Sequence, residues 1–170
     1  WDKGIGEFVE AAEIIKSKSI TARFILVGSQ DLHNPENIKS QVIDKWVDQE
    51  LIEYWGFSND MPKIMKEASI VCLPSYREGL PKVLIEAASC GKPIVTTDVP
   101  GCKEVVSHGL SGYLVKERES KDLAIFLEEL ILDKNLRYSM GQEGRKIVLE
   151  RFADNLITEK TRKVWEEVLI

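Results

Sequence analysis

The chain has 170 residues, a formal net charge of -5, 44% hydrophobic and 30% charged residues. That length supports one domain with a substantial core rather than two. The acidic balance excludes general nucleic-acid binding, which depends on neutralising phosphates. No run approaches the ~18 uninterrupted apolar residues of a membrane span, and no basic-then-apolar leader is present.

The chain opens on Trp1-Asp-Lys-Gly-Ile-Gly without an initiator methionine, which predicts an excised piece of a longer protein. Phe8, Val9, Ala12 and Ile15 recur at helical spacing and predict an amphipathic helix over roughly Gly6 to Lys18. Arg23–Gly28 is a short apolar run closed by glycine, the pattern of a buried strand. A polar loop follows from Ser29 to Pro35, then a helix from Glu36 to Gln49 with Ile38, Val42, Ile43 and Trp46 on one stripe. Leu51–Gly56 is a second strand, and Asp60-Met-Pro starts a helix that Asp60 or Asn59 can cap. Ser69–Pro74 is a third strand, and a loop leads from it to a helix over about Pro81 to Cys90, ended by Gly91 and Pro93. Pro93–Thr97 and Gly112–Val115 complete the strands, and the tail from Ser120 is helical in three pieces. Strands that alternate with helices and are apolar throughout predict an α/β fold, a Rossmann-like parallel sheet with helices on both faces.

Ligands of such sheets bind where strand ends lead into helix starts. Here the richest such segment is Pro74-Ser-Tyr-Arg-Glu-Gly-Leu-Pro-Lys-Val-Leu-Ile-Glu86. Pro81 suits the first helical position, where its missing N–H costs nothing. The amides of Lys82 and Val83 then point out of the helix start and can bind a phosphate, aided by the helix dipole. Gly79 removes bulk where a ligand approaches the backbone. Glu86 follows three apolar residues and precedes two alanines, so it is expected on a buried helix, where a carboxylate needs a partner. It lies about 7–8 Å along the axis from Pro81, roughly the reach from a phosphate to a ribose. An internal salt bridge for Glu86 and a solvated Glu78 are the plainer alternatives. Lys82 either reaches the phosphates or covers the helix start, and Arg77 either pairs with Glu78 or faces an acceptor.

Glu-x7-Glu, with Pro-Ser-Tyr-Arg-Glu-Gly-Leu before it and Glu-Ala-Ala-Ser-Cys-Gly-Lys-Pro-Ile-Val after it, resembles the retaining glycosyltransferases of family 4, which have a two-Rossmann (GT-B) architecture. The likeness extends from Lys3-Gly4 through Val27-Gly28, Gly56 and Asp98-Val-Pro-Gly101 to Gly112. In wording it is similar to bacterial enzymes that build capsule or O-antigen. The resemblance implies that residues 1–170 form the C-terminal donor-binding domain of such an enzyme, without its N-terminal acceptor domain. It implies that Lys3 contacts the donor diphosphate, Glu78 the sugar and Glu86 the ribose. It implies further that Phe57 and Ser58 line the nucleobase, and that Gly28, Gly79, Leu80, Lys82 and Val83 complete the donor site. The partner arginine expected a few residues before Lys3 would fall ahead of Trp1. Pro81 replaces a glycine common in relatives and removes one amide donor. Gly28-Ser-Gln likewise replaces a more glycine-rich turn.

The substrate so implied is a nucleoside diphosphate sugar, UDP-linked, carrying a hexose or HexNAc. Its acceptor is a polysaccharide or lipid-linked glycan held by the N-terminal domain. No cofactor or metal is required. The expected location is cytoplasmic, at the inner face of the membrane if the full-length protein associates with it. A non-catalytic nucleotide-binding regulatory module, a nucleotide-sugar epimerase and a phosphorylase are the competing readings. Elsewhere, Cys72, Cys90 and Cys102 lack metal-site spacing, and the first two lie in apolar runs expected to bury their thiols. His108 belongs to a turn, His33 to solvent, and Trp46 and Trp55 fit core positions.

Overall fold

A computed structural model describes residues 1–30 and 37–168. The elements in chain order are α1 (Ile5–Ser17), β1 (Ile25–Val27), α2 (Ser40–Asp48), β2 (Glu53–Gly56), α3 (Met61–Glu67), β3 (Val71–Leu73) and α4 (Lys82–Ser89). They continue with β4 (Ile94–Thr97), α5 (Pro100–Lys103), β5 (Gly112–Val115), α6 (Ser120–Leu132), α7 (Lys134–Arg151) and α8 (Asp154–Val168). Every expected strand is present, and the tail is helical in three pieces.

β4 shows why the fold needs two helical layers. Its four residues are all buried. Val95 joins a cluster with Ala11, Ile15, Leu123, Leu127 and Leu130 of α1 and α6. Its neighbour Ile94 joins Met65, Leu84, Ala87, Ala88 and Val148 of α3, α4 and α7 on the opposite face. Successive strand residues point to opposite sides, so a strand with no polar face must be covered twice. Leu84 is fully buried, and truncating it to alanine should cost about 2–5 kcal/mol.

All strand pairs are parallel, as expected, but they form two ladders rather than one sheet. β1 pairs with β2, and β3, β4 and β5 pair in that order. Between β1 and β3 lies an apolar cavity of about 890 Å³ bordered by Phe24, Leu26, Ile70 and Cys72. Hydrophobic patterning specifies which faces are covered but carries no signal for which edges pair, so the split was invisible in the sequence.

Local departures have local causes. α2 begins at Ser40, because Lys39 is extended at ψ 142° and caps it. Asn37 and Ile38 also lie ahead of the helix, Ile38 buried and so mimicking helical phase; Glu36, like His33, lies outside the described residues. Asp60 caps α3 as expected, accepting from the amide of Lys63 at 3.1 Å. Pro81 stands one place earlier than expected: its extended ψ of 108° makes it the N-cap of α4, with Lys82 first in the helix. The short α5 was not expected at all, since four residues are too few to show periodicity. Cys102 is buried, but Cys90 is exposed and Cys72 only half-buried. Trp46 is half-buried and meets Trp1 edge-on at 6.1 Å. Trp55 is exposed, with Arg23 5.9 Å from its ring and its indole N–H donating to Glu53. β2 is covered less than a central strand, because it pairs with β1 alone.

Candidate functional site

The carboxyl end of β3 is tied to its neighbours before the chain turns into α4. Thr96 and Thr97 are buried hydroxyls at the end of β4. Thr96 donates to the Leu73 carbonyl at 2.7 Å, and Thr97 donates to the Ser75 carbonyl. Their burial therefore leaves no polar group unmatched, and the β3–β4 ladder extends into the loop that carries Glu78. On the other side, the Tyr76 amide donates to the Asp2 carbonyl at 2.9 Å.

Two glycines permit this packing. Gly4 has φ +68°, and a Cβ there would stand 2.0 Å from the Pro74 carbonyl oxygen. A Cβ on Gly101, in α5, would stand 2.2 Å from the carbonyl oxygen of Gly79 and 2.5 Å from that of Glu78. The glycines thus let the Lys3 turn and α5 close on the Glu78–Gly79 loop from two sides. Both occur in the stretches that carried the resemblance, but neither was given a role. Close approach between backbones distant in sequence leaves no local pattern.

The result joins residues 75 positions apart: the Lys3 ammonium lies 2.8 Å from Glu78 Oε1. Glu78 is well covered, at 14% side-chain exposure, whereas Lys3 is 54% exposed. One turn into α4, Lys82 reaches Glu86 Oε1 at 3.5 Å. Glu86 is 35% exposed, so it is not the buried carboxylate expected. α4 buries Leu84, Ala87 and Ala88, and Lys82, Glu86, Ser89 and Cys90 follow one another up the less covered side, which explains the exposure of Cys90 as well. Among the described residues, no acceptor engages the amides of Lys82 and Val83, whereas the Leu84 amide is taken by the Pro81 carbonyl at 3.0 Å. The helix start therefore offers two amides and one flanking cation.

Gly79 and Leu80 are exposed, and a Cβ on Gly79 would meet nothing within 4 Å. Gly28 closes β1, its amide donating to Gly56 at 2.9 Å and its carbonyl accepting from Tyr54 Oη at 2.9 Å. Phe57 is 69% exposed past the end of β2. The Ser58 hydroxyl accepts from the Asp60 amide at 3.1 Å, a turn contact. No hydrogen bond or ion pair among the described residues joins Phe57 or Ser58 to Lys3, Glu78 or Glu86. Lys3, Gly28 and Val83 line the 890 Å³ cavity, whereas Glu78, Lys82 and Glu86 stand outside it. That cavity is a feature of the sheet gap adjoining the helix start, rather than the helix start itself.

His108 is structural. Its Nδ1 accepts from the Leu114 amide at 3.0 Å, and its ring packs against Tyr113 and Phe126. Arg77 is exposed, and Glu78 is paired with Lys3 instead of with Arg77. No group of three His, Cys, Asp or Glu among the described residues is arranged to hold a metal ion. None of the described helices is long and apolar enough to cross a membrane.

Comparison with known proteins gives these features a family. The chain is 32% identical over 169 residues to a Campylobacter jejuni N,N'-diacetylbacillosaminyl-diphospho-undecaprenol alpha-1,3-N-acetylgalactosaminyltransferase, covering 99% of this chain and 43% of that protein. It is 29% identical to the capsular polysaccharide biosynthesis glycosyltransferase CapM of Staphylococcus aureus, covering 99% and 44%. The chain thus spans under half the length of these curated relatives. Among solved structures, HepE of Anabaena in complex with UDP superposes with a TM-score of 0.85 at 25% identity, covering 97% of this chain and 45% of that one. The C-terminal domain of the group 1 glycosyl transferase LpcC from Francisella tularensis superposes with a TM-score of 0.77 at 27% identity, covering 88% and 80%. The family model for glycosyl transferases group 1 matches residues 1–147, and this chain belongs to that family.

Proposed function

We propose that this chain is the C-terminal donor-binding domain of a retaining glycosyltransferase that moves a hexose or HexNAc from a UDP-sugar to a polysaccharide or lipid-linked glycan. The observation that carries this reading is the meeting of Lys3 and Glu78 beside the open amides of α4. Support comes from HepE, whose structure holds UDP, and from the Campylobacter relative, whose name specifies a diphospho-undecaprenol acceptor. The LpcC structure, itself a C-terminal domain, supports treating residues 1–170 as one such domain; the acceptor is assigned to an N-terminal domain. The reaction takes place in the cytoplasm, at the inner membrane face where the acceptor is lipid-linked.

Chemically, the anomeric carbon's bond to the diphosphate oxygen breaks as an acceptor hydroxyl oxygen bonds to that carbon and passes its proton to the departing diphosphate, on which negative charge grows first. The Lys82 and Val83 amides and the Lys3 ammonium are preorganised donors for that charge, and the step requires no metal. Before a donor arrives, each cation neutralises a carboxylate: Lys3 holds Glu78, and Lys82 holds Glu86. Binding exchanges these partners. The cations turn to the diphosphate, Glu78 accepts from sugar hydroxyls, and Glu86 accepts from the ribose diol.

Calorimetry on Glu86→Ala tests the assignment. UDP affinity should fall about tenfold, the loss of one charged hydrogen-bonded contact, while pyrophosphate binding holds or improves as Lys82 is released. Unchanged UDP affinity would remove Glu86 from the ribose.

A further inference from the structure

Lys3 is a long side chain on a turn, and a flexible ammonium carries a large rotamer entropy. Its usefulness depends on how firmly its backbone is held. Tyr76 holds it from two directions. Its amide donates to the Asp2 carbonyl at 2.9 Å, next to Lys3, and the Ser75 hydroxyl lies 3.4 Å from the same oxygen. Its phenol donates to the Glu7 carboxylate in the first turn of α1. The Arg118 guanidinium lies 4.9 Å from the centre of its ring. Arg118 comes from the β5–α6 connection with φ +65°, a left-handed conformation unfavourable for a residue with a Cβ. Two segments distant in sequence, Asp2–Glu7 and the β5–α6 connection, therefore converge on Tyr76, two residues from Glu78.

We infer that Tyr76, with Glu7 as its acceptor, is a positioning residue that sets the place of Lys3 against Glu78 and the incoming diphosphate. Tyr76 does not touch the donor; it acts through the Asp2–Gly4 turn. Burial and the Glu7 carboxylate push its phenol up to about 12, so the donating hydrogen is retained at all physiological pH values. The inference rests on the proposed contact between Lys3 and the diphosphate.

A double-mutant cycle read by UDP calorimetry tests it, with thermal melting as the check on folding. Tyr76→Phe keeps the ring beneath Arg118 and removes only the hydroxyl, and UDP affinity should fall about three- to tenfold. With Tyr76 intact, Glu7→Gln, which keeps an acceptor oxygen, should retain most of the unaltered affinity, whereas Glu7→Ala should lose about as much as Tyr76→Phe. In the Lys3→Ala background Tyr76→Phe should have no further effect, because the two act as one unit. A loss of the same size in both backgrounds, or no loss in either, overturns the positioning role. If Lys3→Ala binds UDP as the unaltered chain does, the diphosphate reading of Lys3 falls, and this inference with it. If Lys3→Ala weakens binding and Tyr76→Phe does not, only this inference falls. Should Tyr76→Phe melt early, Glu7→Ala cuts the same bond from the α1 side and completes the cycle.

Discussion

The two ladders end in different ways. At the carboxyl end of β3 and β4 the chain is held from every side. Two buried threonines brace the loop, Gly4 and Gly101 admit neighbouring backbone to contact distance, and Tyr76 ties in α1 and the β5–α6 connection. At the carboxyl end of β1 and β2, a Cβ on Gly28 or Gly56 would meet nothing within 4 Å, and Tyr54, Trp55 and Phe57 are exposed. In the proposed reading the first end stabilises charge on the leaving diphosphate, and fixed donors need no reorganisation as that charge develops. In the proposed reading the second receives the flat ring of the nucleobase, for which it offers open space and exposed aromatic side chains.

The largest expected effect separates the two ends by one methyl group. Gly101→Ala must displace the Glu78–Gly79 backbone, and overpacking of this kind costs about 1–3 kcal/mol; UDP binding should be lost with it. Gly56→Ala, at φ +66° in open space, should cost about 1 kcal/mol of backbone strain alone and leave UDP binding detectable. Equal effects in melting and calorimetry would remove the distinction between a braced end and an open one.

A smaller effect sharpens the partner exchange. Glu78→Gln removes the anion that holds Lys3 at 2.8 Å, so UDP should bind about two- to fivefold tighter, the scale of one partly exposed ion pair. The same change should reduce the preference for UDP-sugar over UDP, because an amide accepts sugar hydroxyls less strongly than a carboxylate does. Weaker UDP binding by this variant would mean that Lys3 and Glu78 serve the donor as a pair instead of exchanging.

The smallest effects lie at opposite ends of the pH scale. In the β1–β2 region, Arg23 holds the Glu53 carboxyl at about 2 through two hydrogen bonds. A lowered pKa contributes stability that is present above the ordinary value near 4.5 and fades as pH falls toward 2. Both partners are solvent-exposed, so the acid-side change in melting temperature should be slight and absent in Glu53→Gln. In the β3–β5 region, burial and Glu129 raise the Tyr113 phenol to about 12. A raised pKa contributes stability below the ordinary value of 10 that is lost as pH rises from 10 toward 12. Tyr113→Phe should make the alkaline limb of the melting profile shallower, with the contribution of Tyr76 remaining, and leave the acid limb unchanged.

Much of this molecule is legible in its residues. Continuous apolar strands such as Ile94-Val95 call for cover on both faces, and helical spacing in α1, Asp60 before α3 and Gly91 after α4 mark elements through interactions spanning a few residues. The Glu78 to Glu86 segment marks itself as the candidate ligand site, because a strand, a glycine-bearing loop and a helix start occur there in immediate succession. Local chemistry of this kind is written in consecutive residues. Tertiary structure decided everything that depends on distant backbone: the split between β1 and β3, the union of Lys3 with Glu78, the close approaches at Gly4 and Gly101, and the convergence on Tyr76. It also decided that Glu86 is half-exposed beside Lys82, because cover for a helix is supplied by its neighbours and not by its own composition. Edge pairing and backbone contact obey no sequence period, so only the folded chain could fix them.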